Sequence, residues 1–190
     1  MRTNILRALF CVAVAAVPSA CGDITSEYSS YPCRFVFNMN THATSAALLS
    51  AVSSPGIFCK VSKVYKSGAY YYYFQTNQGL SDYVIFTSED TRTTVSLGMN
   101  NAIYVGYGTT DYPGVFYGFD AECPNCFDPD AVPVRSKALS VSTAGIATCS
   151  TCQRTYDMNN GGIVASGDDG DKLTRYHASY SAAGIVSVTN

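Results

Sequence analysis

Apolar residues recur at every second position along most of this chain. Phe35, Phe37 and Met39 alternate with polar neighbours, as do Ile57, Cys59, Val61 and, across Lys63, Tyr65. A period of two puts one set of side chains on one face of an extended strand, so these stretches predict half-buried β-strands. Further candidate strands cover 70–76, 83–86, 93–97, 102–107, 115–119, 138–142, 163–166, 173–180 and 184–188. They are short, rich in Val, Ile, Tyr and Phe, and separated by Gly, Asn, Asp and Pro turns. That spacing predicts an all-β sandwich or partial barrel. Only 43–52 reads as helical, for two or three turns. With no long helix to make a βαβ crossover, thioredoxin-like and dinucleotide-binding folds are disfavoured.

The N-terminus breaks the pattern. Arg2 and Arg7 precede an apolar run from Ala8 to Val17, and Pro18-Ser19-Ala20 leads into Cys21. A basic start, a short apolar stretch and small residues at a cleavage point predict a secretory signal over 1–20. The apolar run is too short to span a bilayer as a mature helix. Cys21 stands where a bacterial lipoprotein is cut and acylated, although Pro18 replaces the usual aliphatic residue. The expectation is a lipid anchor on Cys21, a polar tether over 21–32, and one domain over 33–190 on a membrane of the bacterial cell envelope. Without the signal the chain keeps ten Lys and Arg against fourteen Asp and Glu, a formal charge near −4. No basic cluster stands out, so a nucleic-acid partner is not expected.

Two identical motifs carry the candidate chemistry: Cys123-Pro-Asn-Cys126 and Cys149-Ser-Thr-Cys152. Each tight turn presents two sulfurs to one side, and Pro124 fixes φ in the first. Two such knuckles can converge on tetrahedral zinc or iron, or on a 2Fe–2S cluster. They can equally form disulfides in an oxidising compartment, most plausibly between knuckles, or act as redox dithiols. Cys33 and Cys59 lie in or beside alternating strands and are expected to form a cross-strand disulfide; the alternative is two small buried hydrophobes.

The stretch from Phe119-Asp-Ala-Glu-Cys123 onward, with Cys149-x-x-Cys152-x-x-x-Tyr156-Asp157, the glycine turn at 162–167, Lys172-Leu-Thr-Arg-Tyr176 and Gly184-Ile-Val-Ser-Val188, resembles the second half of a Rieske-type iron–sulfur domain. In that family C-x-H and C-x-x-H loops hold a 2Fe–2S cluster, and an aromatic-Asp pair follows the second loop. The resemblance covers roughly 115–190 and puts Cys123 and Cys149 on the family's cysteines, Cys152 on its second histidine and Tyr156 on the aromatic. Asn125 stands at the first histidine, with Cys126 one residue beyond, so both imidazole ligands are missing. The resemblance thus implies a Rieske-like β domain with a small, rubredoxin-like two-knuckle metal lobe at about 120–167. It favours a 2Fe–2S cluster on Cys123, Cys126, Cys149 and Cys152; the paired knuckles by themselves suit a single zinc or iron nearly as well, and a redox or surface protein partner is expected. No catalytic constellation is visible.

Three other features read as structural. His177 sits in a strand, and His42, in a polar turn, reads as a surface residue. The Tyr70–Phe74 run predicts one face packed in the core and one open to a sugar or protein. The acidic 167–171 segment lacks the spacing of an EF-hand loop and reads as a solvated turn.

Overall fold

The alternating stretches become antiparallel strands in the computed structural model, which describes residues 27–190. The expected signal, Cys21 and most of the tether lie outside the described residues. In chain order the elements are β1 (Cys33–Asn38), α1 (Ala46–Ser53), β2 (Cys59–Lys66), β3 (Ala69–Thr76), β4 (Ser81–Ile85), α2 (Ser88–Arg92), β5 (Ser96–Leu97), β6 (Ala102–Tyr107), β7 (Phe116–Asp120), β8 (Ser140–Val141), β9 (Ile146–Thr148), β10 (Thr155–Asp157), β11 (Ile163–Ser166), β12 (Arg175–Tyr180) and β13 (Ile185–Thr189). Nine strands form one sheet in the order β4-β3-β2-β6-β7-β12-β13-β1-β5, and a second sheet runs β11-β10-β9-β8.

The large sheet coils back on itself without closing. β1 and β3 stand far apart in strand order, yet Phe35 meets Tyr72 with ring centroids 5.5 Å apart, and Phe37 meets Phe74 at 5.3 Å. Strand twist brings the two ends together, and Gly118 on β7 admits the close approach: a Cβ there would lie 2.9 Å from Val188. Alternation on β1, β2, β3 and β13 sends Phe35, Phe37, Val61, Tyr72, Phe74, Val186 and Val188 into the first core, which α1 covers with Ala47, Leu48, Ala51 and Val52. Ser45 caps α1 by accepting from the Leu48 N–H. Such a cap satisfies one of the first-turn amides that the helix itself leaves unpaired.

A second core lies on the other side of β6 and β7. Tyr104, Tyr117 and Phe119 point away from the first core and pack with Ala121, Leu139, Ala147, Tyr156, Met158 and Leu173. Every residue of β7 is therefore buried, Asp120 included, and the apolar run over 116–119 is what burial on both faces demands. The small sheet rests on this second core.

Three expectations change here. The 93–97 strand shrinks to Ser96–Leu97, because Thr87 and Asp90 form a capping box that starts α2 just upstream. Cys33 and Cys59 are separate free thiols. β1 pairs with β13 and β5 while β2 pairs with β3 and β6, so the two cysteines do not stand across one ladder; Cys33 turns its thiol to the Val188 carbonyl. Burial drives the Cys33 thiol up to about 12 and pushes Cys59 upward as well, as desolvation does to any group that must ionise.

His42 is the third correction. Its side chain is only 4% exposed, stacked on Phe37 at 4.1 Å. Nε2 lies 2.8 Å from the Asp90 carboxylate and Nδ1 lies 2.9 Å from the Asn38 carbonyl. Asp90 also accepts from Tyr72 Oη and from the Thr87 N–H and hydroxyl. Both ring nitrogens are thus engaged by oxygen acceptors, so this His–Asp pair ties the β1–α1 turn to α2 and leaves no nitrogen free to act as a base.

Candidate metal centre

The first knuckle begins where β7 runs out. Leaving the sheet, Cys123 donates its N–H to the Lys137 carbonyl at 2.9 Å, and its own carbonyl accepts from the N–H groups of Cys126 and Phe127 at 3.1 and 2.9 Å. These two bonds close a turn in which Pro124 supplies the fixed φ, bringing both sulfurs to one side. The second knuckle is the tip of the β9–β10 hairpin. Cys149 N–H donates to Arg154 and Gln153 N–H donates to Cys149, both at 3.0 Å. Gln153 takes a φ of 60° to complete it, a left-handed conformation that a non-glycine residue adopts at some cost.

The two knuckles converge. All four Sγ atoms lie within 4.8 Å of one another, with Cys123 and Cys152 at 3.8 Å and Cys126 and Cys149 at 3.9 Å. None is in a disulfide. Each knuckle contributes one fully buried sulfur, Cys123 or Cys149, and one half-buried sulfur, Cys126 or Cys152. The site therefore sits at the edge of the second core, with one side closed by apolar residues and one open towards solvent.

Around the sulfurs stands a set of polar groups. Tyr156, fully buried, places its hydroxyl 3.3 Å from Cys123 Sγ. Asn125, inside the first knuckle, donates through Nδ2 to Tyr156 Oη at 2.9 Å and to the Asp171 carbonyl at 2.8 Å. Arg154, just past the second knuckle, donates to the carbonyls of Asp168 and Asp169 at 3.0 and 2.9 Å. The acidic segment is thus a backbone-anchored turn beside both knuckles.

The thiols have unequal acidity. Burial pushes Cys123 up to about 12, against the hydrogen bond from Tyr156, and raises Cys126 as well. At Cys152 burial acts in the same upward direction but is outweighed: the backbone N–H and guanidinium of Arg154 hold the thiol down at about 6. A divalent cation supplies the charge that deprotonates the remaining thiols, so binding would release protons.

The other sequence candidates lie apart from this cluster. His177 is an exposed residue of β12 that stacks on Tyr28 with centroids 3.8 Å apart. Asn125 is legible in the sequence as part of the first motif and Arg154 as a neighbour of the second; their contacts to Tyr156 and to the 167–171 turn come only from the folded chain. Among the described residues no helix is long and apolar enough to cross a membrane. Comparison of the chain with protein-family models, curated proteins and solved structures finds no match to any of them.

Proposed function

We propose that this protein is a metal-binding protein in which Cys123, Cys126, Cys149 and Cys152 hold one zinc or iron ion in tetrahedral coordination. The observation that carries the proposal is the sulfur spacing. Bonds of about 2.3 Å at tetrahedral angles put neighbouring sulfurs about 3.8 Å apart, and the two cross-knuckle distances are 3.8 and 3.9 Å. A 2Fe–2S cluster needs its two terminal pairs further apart, because two irons and their bridging sulfides lie between them. A maximum separation of 4.8 Å therefore favours the single ion.

The ion's first role is structural. The small sheet consists of strands of two to four residues, too short to hold two knuckles together without a cross-link. Metal coordination supplies that link, and its binding energy becomes folding energy for the lobe. A second reading, electron transfer by a bound iron, rests on the half-exposed pair Cys126 and Cys152, which gives electrons a short way out, and on the Tyr156 hydrogen bond to Cys123, which would tune the potential.

A Rieske-like frame is supported by the sequence resemblance, which sets Tyr156 on the family's aromatic, and is compatible with one knuckle following β7 and the other joining β9 to β10. The basic and apolar character of residues 1–20 and the cysteine at 21 support a lipid-anchored protein of the bacterial envelope, with any redox or surface partner meeting the open side of the site.

The decisive experiment purifies the protein under low oxygen and measures metal content, visible absorption and free thiols on one sample. One equivalent of zinc without colour, or one equivalent of iron with thiolate-to-iron absorption, is the expected result. Two irons and two inorganic sulfides per chain would replace the single ion with a cluster. Metal-free protein with the knuckle cysteines mapped as disulfides would sink the metal site. Mass analysis of the mature N-terminus tests the anchor; an unmodified Cys21 would remove it.

A further inference from the structure

The face of β2, β3 and β4 that turns away from the first core is unusually aromatic and carries only positive charge. Register aligns Val64 with Tyr71 and Ile85, Ser62 with Tyr73 and Tyr83, and Lys60 with Gln75 and Ser81. Residues directly opposite in neighbouring strands share a face. Tyr83 and Ile85 are each 51% exposed, and Tyr71 and Tyr73 are half-buried beside them. Tyr73 and Tyr83 lie 4.5 Å apart between centroids at 30°, nearly parallel to each other, with Tyr71 edge-on to Tyr83. Exposed apolar patches of this kind on a folded domain mark interaction sites.

Charge narrows the class of partner. Residues 59–86 hold three lysines and one aspartate, in a chain whose formal net charge is −2. That aspartate, Asp82, turns to the opposite face and accepts from the Ala47 N–H at the start of α1. Lys66 reaches over the Tyr83 ring at 4.9 Å and Lys60 lies 5.9 Å from the Tyr104 ring. Both ammonium groups therefore stand at the rim of the aromatic surface, free of any carboxylate partner among the described residues. Beyond Tyr73 the face runs into a groove of about 350 Å³ between the sheet and the metal lobe, lined by Lys60, Gln75, Tyr104 and Ser140. The stretch from Tyr71 to Gln75 spans about 13 Å of strand, the length of several linked rings rather than one small molecule.

We propose that this face binds an acidic polysaccharide, a chain of pyranose rings bearing carboxylates. Sugar C–H groups pack against the exposed parts of the Tyr71, Tyr73 and Tyr83 rings. Lys66 at one end and Lys60 at the other meet the carboxylates, and Gln75, Ser62 and Ser140 offer hydrogen bonds to the hydroxyls. The charge complementarity selects a uronate chain over a neutral one and makes binding salt-sensitive, because exposed charges are screened by added ions. The site shares no residue with the four cysteines and does not depend on the metal.

The test is isothermal titration of the full chain with oligogalacturonate and with a neutral malto-oligosaccharide of matched length. The uronate should bind, weaken as salt is raised, and bind at least about tenfold better than the neutral chain. Two double variants, Tyr73→Ala with Tyr83→Ala and Lys60→Gln with Lys66→Gln, should each weaken uronate binding about tenfold while metal content stays unchanged. If the tyrosine variant fails to fold, the lysine variant alone decides. Absence of uronate binding, equal binding of the neutral chain, or wild-type affinity in the lysine variant would overturn the proposal. Sedimentation showing a wild-type dimer that the tyrosine variant breaks would give the face to a second copy of the chain and overturn it as well.

Discussion

Tyr156→Phe deletes one oxygen and leaves the ring in the second core, so it isolates what the hydroxyl does for the metal centre. With a metal bound, Cys123 would be a thiolate and the hydroxyl 3.3 Å away would donate to it. A hydrogen bond to a charged group contributes about 1.5–3 kcal/mol, against about 0.5–1.5 kcal/mol for a neutral pair. The difference, about 1–1.5 kcal/mol, means that the variant should bind zinc about 5–10-fold more weakly. Metal-free protein loses less, because burial keeps Cys123 a neutral thiol in the absence of the ion. Asn125 contributes equally to both forms: its Nδ2 loses one acceptor and keeps the Asp171 carbonyl. The assay is competition with a chromophoric chelator, paired with thermal melts of loaded and stripped protein. At about 2–4 °C per kcal/mol for a chain of this size, the loaded form should drop several degrees further than the stripped form. Zinc affinity within about twofold of wild type, or an equal fall in melting temperature for both forms, would refute the charge-assisted bond, since either result means that the hydroxyl does not distinguish thiolate from thiol.

Three further outcomes follow from the same geometry. Cys149→Ser removes a fully buried ligand; hydrogen exchange should show the 121–166 region losing protection while the amides around Phe35, Tyr72 and Val188 keep theirs, and a global loss would show that the two cores do not open separately. Asp90→Asn disturbs a carboxylate that is 5% exposed and engaged by Tyr72, Thr87 and His42, which should cost about 1–3 kcal/mol in urea unfolding with metal content unchanged. Burial alone would raise the Asp90 pKa, but the Thr87 donors, His42 and Tyr72 outweigh it and hold the carboxyl below its ordinary value. Its stabilisation is therefore present above about pH 4 and lost as pH falls through the depressed folded value; the variant should show a flatter acid limb, and an unchanged limb would contradict the assignment. Gly98→Ala would place a Cβ 2.1 Å from Asp120 Oδ2 and 2.8 Å from Tyr176 Oη, at a φ of +67°. Asp120 there accepts from Met99 N–H and Tyr176 Oη, both at 2.7 Å, so the substitution should destabilise by about 3 kcal/mol or more, and a loss under about 1 kcal/mol would mean that the network shifts freely.

The all-β class and the two cysteine knuckles are legible along the chain for a local reason. A period of two is a property of a single strand, and a CxxC knuckle is a single turn, closed here by hydrogen bonds from Cys126 and Phe127 back to Cys123. Neither needs knowledge of distant residues. The capping box at Thr87 and Asp90 is equally local, a threonine three residues before a carboxylate.

What only the tertiary structure decided is everything that joins residues far apart in sequence. The four sulfurs come within 4.8 Å of one another because the end of β7 and the β9–β10 hairpin lie side by side on the second core. Burial of β6 and β7 on both faces follows from the small sheet packing behind them. Cys33 and Cys59 stay apart because strand order, not sequence pattern, chooses a strand's neighbours. His42 looked solvated from its polar neighbours, yet an acceptor 48 residues away draws it into the first core. Strand alternation determines which face a side chain takes; only the coiling of the sheet determines what that face meets, because contacts between distant segments depend on how the whole chain closes.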